Sequence, residues 1–239
     1  MDLIYKFKDL PANIEAGFTL KGEGHSVGPY ASFNLGDHVG DDPKAVAKNR
    51  TLLSQTLEAP IAWMQQTHSN QVLCVDKLRS QSFNADGLVT AQKNLALAVM
   101  TADCLPLLLF DQKAKSVAAV HCGWRGLHSD IVKNAVTLMR TQTQAPICAL
   151  LGPCIGKNSY EVSADFLNNF PKLSQCFKKT QNNKYLCDLV GICRLKLQDL
   201  GIENIYACEA DTYQEQEHFY SYRREPTTGR MASFIVIKN

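Results

Sequence analysis

The sequence lacks several features that would assign it at once to a common class of protein. It has no apolar run long enough to cross a membrane, no apolar stretch of signal-peptide length near its start, and no internal repeat. It also lacks an H-E-x-x-H helix and a G-x-S-x-G turn, the patterns of zinc proteases and α/β-hydrolases. Its 25 basic and 23 acidic residues give a formal net charge of only +2, with no basic block. We therefore expect a soluble, cytoplasmic protein that binds neither nucleic acid nor membranes.

Cysteine is present, but in a pattern that argues against a disulfide framework. The nine cysteines are an odd number, and no two of them form a C-x-x-C pair. In a reducing compartment we expect free thiols, many of them packed as small apolar residues. A chain of 239 residues, 45% of them hydrophobic, can bury a core without disulfide or metal. We expect one domain over residues 1–239, and a monomer.

Apolar strand-like runs alternate with amphipathic helices, which predicts an α/β or α+β fold. The first clear helix should begin after Asp42, which can cap it, with Pro43 in its first turn. "HCGWRGLHSDIVKNAVTLMR" should turn through two glycines into a helix with one face inward, and a later helix should end at Gly201. The inner positions predicted for the former are Leu127, Ile131, Ala135 and Leu138.

Two further segments predict hairpins. "PIAWMQQTHSNQVLCV" reads as a strand, a turn at residues 68–70 and a returning strand. The tail "SYRREPTTGRM" reads as a hairpin whose arginines, Arg223, Arg224 and Arg230, lie in solvent or in ion pairs.

Reactive side chains follow the predicted buried strands. Cys104, His121 and Cys154 each lie just past the carboxyl end of an apolar run, and His68 lies in a turn. Ligands of sheets flanked by helices tend to bind beyond such strand ends. His68, Cys104 and His121 can therefore converge, and two imidazoles with one thiolate suit zinc with an open fourth position. Their wide spacing matches no local metal motif, so a turn histidine, a buried thiol and a capping histidine remain the alternative.

Two arginines are candidates for binding an anion. Arg50 lies within the apolar stripe of the first helix, so either its stem packs while its head meets solvent, or it enters a site. In "HCGWRGL", Gly123 and Gly126 permit a tight turn, and Arg125 can bind an oxyanion through two hydrogen bonds. The alternative is a plain strand-to-helix turn covered by Trp124. The other histidines are expected at the surface: His25, His38, His128 and His218.

The motifs taken together resemble one family, and they occur in its order over nearly the whole chain. "GPYASFNLGDHVGDDPKAVAKNR", "QQTHSNQV", "ADGLVT", "TADCLPLLLFD", "AAVHCGWRGL", "LGPCIG", "YEV" and "FYSYRR…TGRMA" are similar to YfiH-type laccase-domain proteins. These are also called polyphenol-oxidase-like proteins or peptidoglycan editing factors. The resemblance implies a single-domain α/β layered sandwich, with mixed β-sheets inside and helices outside. It also implies a catalytic metal site of His68, Cys104 and His121, accompanied by Arg50.

The activity that this resemblance implies is zinc-dependent purine nucleoside chemistry. It comprises phosphorolysis of adenosine, inosine and methylthioadenosine, together with deamination of adenosine. The substrates would be a purine nucleoside and phosphate, with Arg50, Arg125 and the amides after Gly123 as oxyanion candidates and Asn34 as a substrate-binding residue. Relatives usually have Thr-Arg and then Gly-Gly where this chain reads "TLKGEGHS", so Leu20-Lys21 and the residues Glu23-Gly24-His25 leave substrate preference open.

Three other functions remain open. A copper-dependent polyphenol oxidase fits the family's older name, because two histidines and a cysteine also bind copper. A multicopper cluster, however, would consume most of the six histidines. A cysteine hydrolase with Cys104 as nucleophile, and His68 or His121 as base, would suit the editing of peptidoglycan precursors. A non-catalytic protein stabilised by zinc is the third.

Overall fold

Two β-sheets form the centre of the protein, described by a computed structural model over residues 3–78 and 81–239. The first sheet has five strands, in the spatial order β1 (Ile4–Lys6), β2 (Ile14–Thr19), β14 (Met231–Ile237), β6 (Ala96–Thr101) and β3 (Ile61–Ala62). The second has six, in the order β13 (Ile205–Ala207), β9 (Ile147–Leu151), β7 (Leu105–Asp111), β8 (Val117–Cys122), β5 (Gly87–Thr90) and β4 (Val72–Cys74). Each sheet is mixed: β3–β6, β4–β5 and β9–β13 are parallel pairs, and the other pairs are antiparallel.

The helices and a small third sheet complete the chain. The helices are α1 (Pro43–Thr56), α2 (Trp124–His128), α3 (Ile131–Arg140) and α4 (Leu189–Asp199). The small antiparallel sheet contains β10 (Glu161–Ser163), β12 (Lys184–Cys187) and β11 (Phe177–Lys179). Within the described ranges, no helix has the length and apolarity needed to cross a membrane.

Alternate residues of β7 show how the layers stack. Leu107 and Leu109 pack in a core shared with α3 and α4, whereas Leu108 and Phe110 pack against the five-stranded sheet. A third core lies between that sheet and α1, where Leu53 contributes a fully buried side chain. Both faces of the central strands are thus covered, which explains their continuous apolar runs. The order of layers is helix, sheet, sheet, helix, which confirms the predicted α/β sandwich with mixed sheets inside and helices outside.

Local signals at the helix ends acted as predicted. The Asp42 carboxylate accepts a hydrogen bond from the Lys44 amide at 2.9 Å, and Pro43 occupies the first turn of α1. Gly201 follows α4 with a φ of +74°, a conformation that glycine adopts at little cost. All nine cysteines are free thiols, as expected.

Three details of the predicted elements are wrong. The predicted hairpin around residue 68 does not form, because β3 pairs with β6 in one sheet and β4 with β5 in the other. The helix predicted after Gly123 is broken between α2 and α3 by Asp130, whose φ is +63°. This break shifts the register, so that Met139 is fully buried, whereas the predicted inner residue Leu138 is only partly covered.

Candidate metal centre

His68, Cys104 and His121 lie together at one end of the stacked sheets. His68 lies in the loop between β3 and β4, Cys104 in the turn between β6 and β7, and His121 within β8. The sequence predicted that the strand ends before His121, but β8 includes this residue. The antiparallel pairing of β7 with β8 sets the start of β7, beside Cys104, against the end of β8 that carries His121. The donor atoms of the three side chains all lie within 4.8 Å of one another.

The turn that presents Cys104 is held by its neighbour, Asp103. Asp103 has a φ of +95°, which is unfavourable for a residue with a side chain. Its carboxylate accepts hydrogen bonds from the Thr212 hydroxyl and the Arg223 amide, both at 2.7 Å, and its carbonyl accepts one from the Ile155 amide. These contacts, which come from distant parts of the chain, stabilise the turn.

Asp86 connects the two histidines. Its side chain is fully buried just before β5, and Oδ1 accepts hydrogen bonds from His121 Nδ1 at 2.8 Å and the His68 amide at 3.0 Å. Oδ2 accepts from the Thr67 amide at 3.1 Å and from both the amide and the hydroxyl of Ser69 at 2.7 Å. Asp86 therefore orients the His121 ring and the loop that carries His68.

The charge state of Asp86 sets the tautomer of His121. Burial would raise the pKa of this carboxyl, but the hydrogen bonds from His121 and Ser69 hold it well below its usual range. An ionised carboxylate only accepts hydrogen bonds, so His121 Nδ1 carries the proton and Nε2 is the nitrogen left for the cluster. Carboxylate partners of this kind are common behind the histidine ligands of metals.

Cys104 and His121 shift each other's titration. Burial alone would raise the pKa of the Cys104 thiol, but the imidazoles of His121 and His68 outweigh it and lower that pKa to about 6. Burial would lower the pKa of His121, whereas Cys104 and Asp86 raise it to about 9. In the metal-free protein Cys104 is therefore a thiolate at neutral pH, the form that acts as ligand or nucleophile, and His121 is an imidazolium. A metal ion that binds here displaces the proton on His121 Nε2.

The donor set and the space between the donors fit a zinc ion. Cys104 Sγ lies 3.9 Å from His68 Nε2, close to the separation of about 3.5 Å that tetrahedral zinc bonds produce. Gly123 faces the cluster, and a Cβ placed there would lie 3.1 Å from His68, 3.2 Å from Cys104 Sγ and 3.4 Å from His121 Nε2. The missing side chain at Gly123 thus leaves a small space beside all three donors. Within residues 3–78 and 81–239, this is the single group of three or more such side chains close enough to hold a metal.

The three residues of the cluster line a cavity of about 400 Å³. Polar and charged residues line part of its wall, and aromatic and aliphatic residues line the rest. The charged lining residues include Arg125, Arg223 and Arg230, and the aromatic ones are Trp124, Tyr160 and Tyr222. Both the volume and the mixed lining are typical of small-molecule sites.

Arg50 lies beside the cavity, and its guanidinium already has partners. Its Nε donates to the Leu35 carbonyl at 2.9 Å, and the group forms an ion pair with Asp37 at 3.0 Å. The guanidinium also stacks over Trp63 at 4.3 Å and contacts the sulfur of Met100, which lines the cavity. The head is thus neither in bulk solvent nor free for an anion.

Asn34 and Arg125 differ in their access to the cavity. Asn34 is fully buried and absent from the lining, and its Oδ1 accepts hydrogen bonds from the amides of Gly36 at 2.9 Å and Arg230 at 2.8 Å. Its Nδ2 donates to Gly36 and to Asp41, so the structure does not present this amide to a substrate. Arg125 is exposed and lines the cavity.

The basic tail differs most from its prediction. Residues 221–230 form turns instead of a hairpin, and none of their arginine guanidinium groups has a carboxylate within 4 Å in the described part of the chain. Arg224 donates to three backbone carbonyls, whereas Arg223 and Arg230 line the cavity. The prediction of solvent exposure or ion pairing is therefore wrong for Arg224 and Arg230, which are partly buried, whereas Arg223 is exposed, as predicted.

His38 and Lys21 differ in their relation to the cavity. His38 is exposed, as expected, but it also lines the cavity. Lys21, in the segment that departs from the family pattern, lies over the Tyr220 ring at 5.4 Å and donates to the Gln216 carbonyl. Lys21 is not a lining residue.

Sequence reasoning missed Asp86 and Arg230 as individual site residues. Both lie inside quoted motifs, "ADGLVT" and "TGRMA", and each immediately precedes a buried strand, β5 or β14. The position of Asp86 directly before the buried strand β5 was the one sequence signal for a carboxylate that hydrogen-bonds to the histidines.

The fold and the site together define an α/β sandwich protein with a His-Cys-His candidate metal centre at the end of its two sheets. The chain belongs to the family described as multi-copper polyphenol oxidoreductase laccase, whose model matches residues 15–238. The resemblance to YfiH-type laccase-domain proteins is thereby confirmed.

Individual relatives agree with this assignment. The chain is 39% identical over 235 residues to a purine nucleoside phosphorylase of Haemophilus influenzae, covering 95% of this chain and 96% of the relative. It is 38% identical over 231 residues to the purine nucleoside phosphorylase YfiH of Escherichia coli, covering 94% of both. Among solved structures, a Neisseria meningitidis protein of the DUF152 family superposes with a TM-score of 0.93 at 36% identity over the full length of both chains. YfiH of Bacillus licheniformis gives 0.89 at 31% identity, covering 94% of this chain and 93% of that one.

Proposed function

We propose that this chain is a zinc-dependent enzyme of purine nucleosides, which cleaves adenosine, inosine and methylthioadenosine with phosphate and also deaminates adenosine. The observation that carries the proposal is the His68–Cys104–His121 cluster in the lining of a cavity of about 400 Å³. The names of the bacterial relatives, purine nucleoside phosphorylases at 38–39% identity, support the substrate class.

The cavity wall suits both parts of such a reaction. Trp124 and Tyr160 offer aromatic faces, and Ile155 and Leu189 offer aliphatic surface, against which a purine can pack. Arginine side chains on the wall can offset the charge of phosphate. Arg125, which stacks over Trp124 at 4.4 Å, is placed to contact a bound substrate near that ring.

In phosphorolysis, a phosphate oxygen bonds to C1′ of the ribose while the C1′–N9 bond breaks, and its electron pair leaves on the purine, which takes up a proton. In deamination, water adds at C6 and ammonia leaves. Zinc, when bound, would supply a Lewis acid that polarises an oxygen and lowers the pKa of water. His68, Cys104 and His121 would hold the ion, while Asp86 keeps His121 Nε2 directed toward it.

Chromatography of adenosine incubated with zinc-loaded protein, with and without phosphate, tests the proposal. Phosphate-dependent adenine and phosphate-independent inosine are the expected products. Cys104→Ala, purified identically, should make neither, whereas Cys74→Ala, which removes an exposed thiol outside the cavity, should match the wild type. Equal product from the wild type and Cys104→Ala would assign the activity to a contaminant and refute the proposal.

A cysteine hydrolase acting on peptidoglycan precursors is the second candidate, because Cys104 Sγ lies 3.9 Å from His68 Nε2. Activity on such precursors that survives complete metal removal, with an adduct trapped on Cys104, would favour it. Loss of all activity with the metal would favour the zinc enzyme.

Copper is the alternative ion, since the family description names it. Strong visible absorption of the copper-loaded protein, with oxidation of phenols, would support an oxidase. Nucleoside turnover by the zinc form, without phenol oxidation by the copper form, would support the proposal above.

A further inference from the structure

The arginines around the cavity differ in how far they are already neutralised. Arg50 is paired with Asp37 at 3.0 Å, and Arg125 is exposed to solvent over Trp124. Arg223 stacks over Tyr160 at 5.0 Å and donates to a backbone carbonyl. The remaining one, Arg230, combines partial burial with the lack of a carboxylate partner in residues 3–78 and 81–239.

Arg230 uses only part of its hydrogen-bonding capacity. One terminal nitrogen donates to the carbonyls of Thr228 at 3.0 Å and Gly229 at 2.9 Å. The other terminal nitrogen and Nε make no hydrogen bond to the described residues, and the side chain lines the cavity. These two nitrogens form one edge of the guanidinium, the geometry that binds an oxyanion through two parallel hydrogen bonds.

The position of Arg230 is fixed from its backbone. Its amide donates to Asn34 Oδ1 at 2.8 Å, and its stem lies against Gly36, where an added Cβ would come within 2.8 Å of Arg230 Cγ. The buried amide of Asn34 thus acts on the cavity through Arg230 instead of touching a ligand. Burial lowers the pKa of the Arg230 guanidinium, and the nearby Cys104 and Asp103 partly offset this shift. A partly buried cation with a free edge is stabilised when an anion binds it.

We propose that Arg230 binds the phosphate that attacks the nucleoside, and that Arg50 does not. This assignment rests on the proposed function for its choice of phosphate as the anion. Arg230 lies 5.9 Å from the Tyr222 ring, and both residues line the cavity that Cys104 also lines. Phosphate held there would lie within the same cavity as the ribose that it attacks.

Calorimetric titration of inorganic phosphate into zinc-loaded protein tests this assignment without requiring turnover. Arg230→Gln should weaken phosphate binding by roughly tenfold or more, the loss expected for charge-assisted hydrogen bonds. Arg125→Gln removes the same charge from an exposed position and should weaken it less than about threefold, because solvent screens that charge. Arg140→Gln, on the surface of α3, should leave phosphate binding unchanged. Zinc content must be equal in all four proteins, since phosphate also binds zinc.

Phosphate binding by Arg230→Gln within twofold of the wild type, or an equal or larger loss in Arg125→Gln, would overturn the assignment. If Arg230→Gln does not fold, Arg230→Lys decides, because lysine keeps the charge and lacks the planar edge. It should weaken binding at least about threefold, and wild-type binding would overturn the assignment. Arg230-dependent phosphate binding without any nucleoside turnover would refute the proposed function and leave this anion site standing.

Discussion

Replacement of Asp86 by asparagine is the sharpest test of how the candidate metal centre is built. Asparagine has nearly the same shape, but one of its side-chain oxygens becomes an amino group. If the amino group replaces Oδ1, it faces His121 Nδ1 and the His68 amide; if it replaces Oδ2, it faces the Thr67 and Ser69 amides. In the first orientation the His68 amide loses its acceptor, and His121 keeps a hydrogen bond only by changing tautomer; in the second, the Thr67 and Ser69 amides both lose their acceptor.

The magnitude follows from these contacts. A buried donor left without a partner costs about 1–3 kcal/mol, so we expect Asp86→Asn to lower the free energy of unfolding by about 3 kcal/mol. For a domain of this length, that loss corresponds to a Tm lower by about 6–12 °C. Zinc affinity should fall for a separate reason. An amino group that faces His121 favours the tautomer whose Nε2 carries the proton, and this nitrogen then cannot bind the metal. Loss of such a carboxylate partner typically weakens metal affinity about 10–100-fold.

Two assays separate these effects: urea denaturation of the metal-free protein, and zinc affinity by competition with a chelator. Asp111 provides a matched control, since it is also fully buried and accepts hydrogen bonds from the amides of Lys113, Lys115 and Ser116. It lies at the far end of β7, about 20 Å along the strand from the turn at Cys104. Asp111→Asn should therefore lose a similar amount of stability while its zinc affinity stays unchanged.

Zinc affinity of Asp86→Asn within twofold of the wild type would refute the positioning role of Asp86. Equal losses of zinc affinity in both variants would also refute it, because the effect would then follow from general destabilisation.

Three further predictions concern other parts of the site. Gly123→Ala should fold normally, because the φ of −63° at this position suits alanine. It should weaken zinc binding more than about 100-fold, because the new Cβ fills the space beside the three donors. Wild-type zinc affinity in a chelator competition would contradict this. In the metal-free protein, the rate of Cys104 alkylation should rise with pH around a midpoint near pH 6, because the lowered pKa of the thiol makes the thiolate present above that pH. Mass-spectrometric mapping of the alkylated cysteine that finds a midpoint near pH 8.5 would disprove it. Arg50→Lys should lower the free energy of unfolding by about 1–2 kcal/mol, because lysine cannot bind the Asp37 carboxylate and the Leu35 carbonyl at the same time. An unchanged urea denaturation curve would show that these contacts do not contribute to stability.

Local patterns in the sequence were sufficient for the central strands, for two helix ends and for the general class of fold, but not for the two predicted hairpins or for the break between α2 and α3. Continuous apolar runs predicted strands buried on both faces, and Asp42, Pro43 and Gly201 marked helix ends, because these signals act within a few residues. The candidate ligands could also be named, since reactive side chains at the ends of buried strands are few. Only the resemblance favoured a metal site over a turn histidine, a buried thiol and a capping histidine, because the wide spacing of the three residues matches no local metal motif.

What the tertiary structure alone decided is how distant segments meet at the cavity. That the two strands around His68 enter different sheets, and that Asp86 joins His68 to His121, depends on pairings between residues far apart in the chain. The same holds for Arg230, whose charge looked like one of three in a solvated tail. Whether a charge is neutralised, screened or left free is a property of its neighbours in space, and sequence spacing does not contain it.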